Sequence, residues 1–340
     1  MPESPAENVR NQRNRRELWY LWLLPLVPIL LVVAYNQAGH SRPIGHGDIS
    51  FDISPSGEVI VFSGIGSGGR DLFLLDLRDS KVTRIAETPD YEVAPTFTPD
   101  GRSIVYAAGR PGDRADHLFI RPLDGGAPRQ LTAADANDSS PRVSPDGTLI
   151  AFDRCKTYNW GGLAANWSDG GVICVIGIDG KNERQITPDE TFARRPWFLP
   201  DGLNIAYLTF DGTYLAPVGP NGVATRISDL CTAEEPSWSP DGEFYAYLRS
   251  ETRYAGSARL FVTRSDGSEE RLLTPDKGAY SHPRLSPDGR NAYFFAESWP
   301  QGPTGTPVFQ LWTIGVDERG LKRVAGARLF EDPLHWVPEP

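Results

Sequence analysis

The feature that most limits how this chain can fold is a turn written six times. Ser144-Pro145-Asp146-Gly147 stands between two short apolar runs in PRVSPDGTLIAFDR, from Pro141 to Arg154. Its relatives are FDISPSGEVIVFSG from Phe51, PTFTPDGRSIVYAA from Pro95, RPWFLPDGLNIAYLTF from Arg195, PSWSPDGEFYAYLRS from Pro236 and PRLSPDGRNAYFFAE from Pro283. Proline at the second position presets φ, Asp tolerates the third, and Gly releases the chain into a new strand, so each turn joins two antiparallel strands. A further apolar run follows each pair, such as DLFLLDL from Asp71 or GVICVIGI from Gly171, and a shorter one such as VTRIAET or ERQITPD closes the unit. Each unit therefore holds four strands.

The turn prolines fall at 55, 99, 145, 200, 240 and 287, so the spacings lie between 40 and 55 residues, which signifies a repeat architecture. A lone four-stranded sheet cannot cover both of its faces. Six sheets packed around an axis can, and the sequence predicts an all-β, six-bladed propeller of four-stranded antiparallel blades over residues 48 to 340. Thirty-four Gly and thirty Pro suit so turn-rich a fold, and no long stretch after residue 36 has helical periodicity.

The core pattern P-x-W/F-S-P-D-G-x-x-I-A-F/Y, six copies in register, resembles the WD-like repeat of TolB-type β-propellers over roughly the last 290 residues. That resemblance implies a six-bladed ring whose faces bind partners, and it implies no catalysis. TolB places a small α/β domain ahead of its propeller. Here residues 36 to 47 separate the first repeat from an apolar segment, a departure that speaks against a role in the Tol-Pal envelope system.

The apolar segment, LWYLWLLPLVPILLVVAY, runs from Leu18 to Tyr35 without a charge and is just long enough to span a bilayer as a helix. Arg10, Arg13, Arg15 and Arg16 precede it, whereas Arg42 alone supplies Lys or Arg in the next fifteen residues, so residues 1–17 are expected to be cytoplasmic and the propeller extracytoplasmic, periplasmic in a Gram-negative-type cell. Trp19, Tyr20 and Trp22 suit the membrane interface, and Pro25 and Pro28 would bend or loosen the helix. A cleaved signal peptide, cut near Val32-Val33-Ala34, is the competing reading; the length of the run and its aromatic start favour a retained anchor. The organisation expected is a tail (1–17), an anchor (18–35), a linker (36–47) and the propeller.

Beyond residue 17 the chain carries 30 basic and 41 acidic groups, a surface that repels phosphate backbones and argues against nucleic acid as a partner. Cys155 and Cys174, on successive strands of the third repeat, could form a disulfide, although aligning their hairpin with the tight Asp211-Gly212 turn of the fourth places them diagonal rather than opposite; Cys231 is read as packing.

No G-x-S-x-G, H-E-x-x-H or zinc-spaced cysteine cluster is present, so the sequence points to no catalytic residue, metal or cofactor. GIGSGG from Gly64 leads into a strand rather than a helix and reads as a hairpin loop. The irregular loops gather on the face away from the SPDG turns. They carry Trp160, Trp167, Tyr254 and Trp299, aromatic candidates for a partner interface that could instead fold back onto their own blades. Residues before each leading proline are expected to rim the channel on that face: Arg194, Arg195, Glu234, Glu235, Ser281 and His282.

Two functional classes follow. One is a non-catalytic, membrane-tethered accessory or scaffold subunit that binds a larger membrane protein complex, bioenergetic, transport or envelope. The other is a propeller hydrolase or lyase with its site at the channel mouth, where an acid beside His282 would do proton chemistry. The terminal EDPLHWVPEP repeats the leading pattern, and it is expected to pair as a strand beside the first blade and lock the ring.

Overall fold

In four of the six turns a hydroxyl, a carboxylate and a glycine close a compact hydrogen-bonded corner. The Ser144 hydroxyl donates to Asp146 Oδ1 at 2.6 Å and accepts the Leu149 amide at 2.9 Å, while the Gly147 amide returns to the Ser144 carbonyl at 2.8 Å. The same three-residue device recurs at Thr98/Asp100, Ser239/Asp241 and Ser286/Asp288. The hydroxyl bond holds each of these carboxyls below the usual range. Gly147 sits at φ +73°, a conformation that a side chain would strain.

The computed structural model describes residues 50 to 333 except 66–69, 86–90, 110–114, 134–135, 157–170, 190, 210, 220–221, 229–235, 251–257, 275–277, 299–307, 327 and 332; residues 1–49 and 334–340 also lie outside the described residues. The described residues form six four-stranded sheets, each built from strands consecutive in sequence and antiparallel throughout. Blade 1 holds β1 (Phe51–Ile53), β2 (Val59–Ile65), β3 (Arg70–Asp76) and β4 (Val82–Arg84). Blade 2 holds β5 (Tyr91–Phe97), β6 (Ser103–Gly109), β7 (His117–Pro122) and β8 (Arg129–Gln130). Blade 3 holds β9 (Ala136–Val143), β10 (Leu149–Lys156), β11 (Val172–Gly177) and β12 (Arg184–Gln185). Blade 4 holds β13 (Arg194–Phe198), β14 (Asn204–Leu208), β15 (Thr213–Pro217) and β16 (Thr225–Ser228). Blade 5 holds β17 (Ser237–Trp238), β18 (Phe244–Ser250), β19 (Ala258–Arg264) and β20 (Arg271–Leu272). Blade 6 holds β21 (Ala279–Leu285), β22 (Asn291–Ser298), β23 (Val308–Gly315) and β24 (Lys322–Ala325).

First strands of neighbouring blades touch one another, β1 against β5, β5 against β9 and β9 against β13, so they form the inner wall. Apolar side chains from facing sheets then fill the gaps between blades. Val61 and Leu72 of blade 1 pack with Ile104 and Tyr106 of blade 2, and Val105 and Leu118 of blade 2 with Ile150 and Phe152 of blade 3.

At the join between blades 6 and 1 the described residues show a helical turn. Among the described residues no strand follows β24; instead a one-turn helix α1 (Arg328–Glu331) inserts Leu329 and Phe330 into the cluster shared by blades 6 and 1. The Phe330 ring stands edge-on to Phe62 of blade 1 at 5.4 Å and to Phe295 of blade 6 at 5.1 Å. Most of the terminal segment lies outside the described residues, as does the expected anchor at residues 18–35. Among the described residues no helix is long and apolar enough to cross a membrane.

The two cysteines are not bridged. Cys174 faces Phe152 across the β10–β11 ladder, three residues from Cys155. An odd offset puts the two side chains on opposite faces of the sheet and about 10 Å apart along it, beyond disulfide reach. Burial pushes the Cys174 thiol up to about 12.

Two expectations follow. Phe330→Ala should lower the unfolding free energy by roughly 3–5 kcal/mol in urea titration, because the cavity opens where the first and last blades meet. A thiol reagent at pH 8 should label Cys174 only on unfolding, and reducing agent should leave the melting temperature unchanged.

Candidate functional site

The inner wall carries one position that the sequence reading passed over, the residue directly after the leading proline, or after Phe51 in blade 1. Asp52, Thr96, Arg142, Trp197, Ser237 and Arg284 occupy it in blades 1 to 6. The Arg142 guanidinium lies 4.7 Å from the centroid of the Trp197 indole and that of Arg284 lies 4.6 Å from it. Blades 3 and 6 thus meet on a ring contributed by blade 4, and cation–π attraction holds the group together. Each guanidinium also donates to the carbonyl of its own leading proline, at 2.9 Å for Arg142 and 2.8 Å for Arg284. The smaller members bind their neighbours. Asp52 Oδ2 accepts from the Thr96 hydroxyl and the Phe97 amide, both at 2.9 Å, and Ser237 Oγ accepts the Leu285 amide at 3.0 Å. The signal was in the repeats: aligned on the proline, this column alternates between charged, aromatic and small residues where a plain core column would be apolar.

The residues just before the prolines sit on bulges. Ala94, Ser140, Arg195 and His282 all have φ between +51° and +54°, and the ladder slips at each. The conformation is uncommon for non-glycine residues and costs about 1–3 kcal/mol each. Neighbouring blades hold two of them in place: the Ala94 amide donates to Ser50 Oγ at 3.0 Å, and the Arg195 amide donates to Asp153 Oδ2 at 3.1 Å.

Of the expected mouth residues, Arg194 opens β13 and is exposed, and Arg195 is half-buried. Ser281 and His282 lie inside β21, 6% and 7% exposed, with the His282 ring edge-on to Phe295 at 5.7 Å. They belong to the wall rather than the rim, because the bulge draws them into the blade. Glu234 and Glu235 lie outside the described residues, as do Trp160, Trp167, Tyr254, Trp299 and Cys231.

The stem of the hairpin that carries Trp160 and Trp167 is described. Arg154, at the end of β10, grips Asp138 of β9 with Nε to Oδ1 at 2.7 Å and Nη2 to Oδ2 at 3.0 Å, and it also binds Glu183. Burial raises the Asp138 carboxyl, and the bonds from Arg154 partly offset that rise. A buried two-point clamp of this kind ties the end of β10 to β9.

The TolB β-propeller domain family matches residues 46–166. The Tol-Pal system protein TolB of Francisella tularensis subsp. mediasiatica (strain FSC147) is similar at 28% identity over 234 residues, 66% of this chain and 50% of that protein. The chain spans about half the length of the curated relatives it matches. Among solved structures, TolB from Acinetobacter baumannii superposes with a TM-score of 0.59 at 18% identity, covering 87% of this chain and 69% of that one. The oligogalacturonate lyase of Vibrio parahaemolyticus gives 0.58 at 14%, covering 82% and 79%. At such identities the likeness establishes the propeller fold and nothing more.

Trp197→Ala should cost roughly 3 kcal/mol in chemical unfolding, since it removes the ring that both arginines cover. Trp197→Phe, which keeps a π face, should cost clearly less.

Proposed function

We propose that this chain, a TolB-type β-propeller, is a non-catalytic binding module: an accessory or scaffold subunit of a membrane protein complex, anchored by residues 18–35 with its ring outside the cytoplasm. The observation that carries this reading is the use made of the polar inner wall. Asp52 and Ser237 spend their acceptors on backbone and hydroxyl groups of the next blade, and Arg142 and Arg284 are stacked on Trp197. Such groups hold blades in register and are not poised around a space where a substrate atom would react. His282 is seated against Phe295 in the same wall. The likeness to TolB proteins of the Tol-Pal system agrees with a partner-binding role. Which assembly the chain serves is a separate matter.

The tether sets where it works. Residues 36–47 reach at most roughly 40 Å when fully extended, so the ring stays close to its bilayer and its partner is a membrane protein or lies against one. The loop face opposite the SPDG turns, with Trp160 and Trp167 on a hairpin whose stem is clamped by Arg154, is the surface proposed for that contact.

Changing Trp160 and Trp167 together to Ala should release the co-purifying membrane partner in mild detergent, at a cost above about 2 kcal/mol of binding, while the propeller melts as the wild type does. Equal recovery of the partner with both proteins folded would move the interface elsewhere.

A further inference from the structure

Neighbouring blades share a buried apolar cluster at every interface but one among the described residues. The exception lies between blades 4 and 5, where the rings of Tyr247 and Phe261 cluster within blade 5 alone. A cleft of about 810 Å³ opens there. The residues that would fill it have changed character. On blade 3 the stripe facing the preceding blade is Val143, Ile150 and Phe152, and on blade 6 it is Leu285, Ala292 and Phe294. The aligned positions of blade 5 are Trp238, Tyr245 and Tyr247; the first two depart from the other blades, while the third is tyrosine also at Tyr106 and Tyr207. These rings form a ladder, Trp238 to Tyr245 at 5.2 Å and Tyr245 to Tyr247 at 5.5 Å. Across the cleft Ile227 of blade 4 is 49% exposed.

Charge completes the description. Asp201, Asp241 and Asp266 line the cleft, and among the described residues no Lys, Arg or His does so. In Asp241 and Asp266 the turn hydrogen bonds fall on Oδ1, from Ser239 and Glu243 and from Ser268. Oδ2 of each takes no part in those turn bonds. Aromatic faces beside carboxylates, with aliphatic surface opposite, fit a guanidinium or ammonium whose flanking chain is apolar. A groove of this width between rigid blades suits extended backbone, and aromatic-lined grooves favour proline-containing segments because these are already extended.

We propose that the cleft between blades 4 and 5 binds an extended segment of a partner protein that carries an arginine flanked by proline and small apolar residues. Neither Trp160 nor Trp167 is among the residues that line the cleft, so it stands or falls separately from the interface proposed for them.

The test uses the full chain in detergent micelles, labelled with 5-fluorotryptophan, with the Trp238 resonance assigned from Trp238→Phe. Titration with the synthetic peptide Pro-Leu-Pro-Arg-Pro-Leu-Pro should move that resonance saturably. Asp266→Asn, which preserves its turn, should weaken binding about tenfold, and raised salt should weaken it further. Ile227→Arg, at an exposed position, should abolish the shift while leaving the melting temperature unchanged. The same peptide with Glu in place of Arg should produce no shift, nor should cellohexaose, which can stack on rings but carries no cation. The proposal is overturned by the absence of a shift at millimolar peptide, by an equal response to the Glu peptide or the saccharide, or by unaltered binding in both variants.

Discussion

In five of the six SPDG turns the proline lies against the glycine of the next blade's turn, the exception being Gly289, which meets Ser239, and this contact passes register around the ring. A Cβ placed on Gly101 would meet Pro55 at 3.5 Å, one on Gly147 would meet Pro99 at 3.7 Å, and one on Gly202 would meet Pro145 at 3.7 Å. Gly242 stands likewise against Pro200, and Gly57 against Pro287, so the girdle crosses the join between the last blade and the first. The turn therefore does two jobs. Its left-handed glycine, at φ between +65° and +73° in these turns, lets each hairpin reverse, and the same corner packs against the neighbouring blade's proline. Apolar faces of adjacent sheets pack between these corners, which is where most of the stability of such a fold must arise.

This explains why the architecture was legible in the sequence and why ring closure was not. A repeat fixes blade number and strand count because every copy must satisfy the same turn and the same neighbour. Closure happens once, so no repetition marks it. The terminal P-x-W-x-P lies almost wholly outside the described residues, and no repeat pointed to Leu329 and Phe330, which pack at the join on a single helical turn. Two large apolar side chains can fill a gap between sheets without any ladder hydrogen bond. The cysteines tell a similar story, since proximity in a hairpin says little until register shows which face each side chain takes.

The inner wall was half legible. Arg195 and His282 stood out as residues before a leading proline, but a bulge places His282 inside the wall. The residues one step beyond the proline proved to be the ones that meet across the axis. Their side chains come from repeats far apart in sequence, and Arg142 and Arg284 find the same indole only because the ring brings their blades around to it. Pairing of that sort is a property of closure, invisible to any single repeat.

The same dependence on neighbours makes a departure from the pattern informative. Blades 5 and 6 differ little as isolated sheets, and the substitution of Trp238, Tyr245 and Tyr247 for Leu285, Ala292 and Phe294 would pass as conservative on hydrophobicity alone. Within the ring it matters, because the wide Trp238 and Tyr245 rings stand where the other blades place aliphatic or Phe side chains, and tyrosine hydroxyls need polar partners or water. Tyr247 meets this need by donating to Glu270, which Arg249 in turn holds at 2.9 Å. That network keeps the aromatic wall rigid without help from blade 4. Blade 5 thus supports its own exposed face, and a propeller that is otherwise sealed by apolar packing can keep one of its seams open.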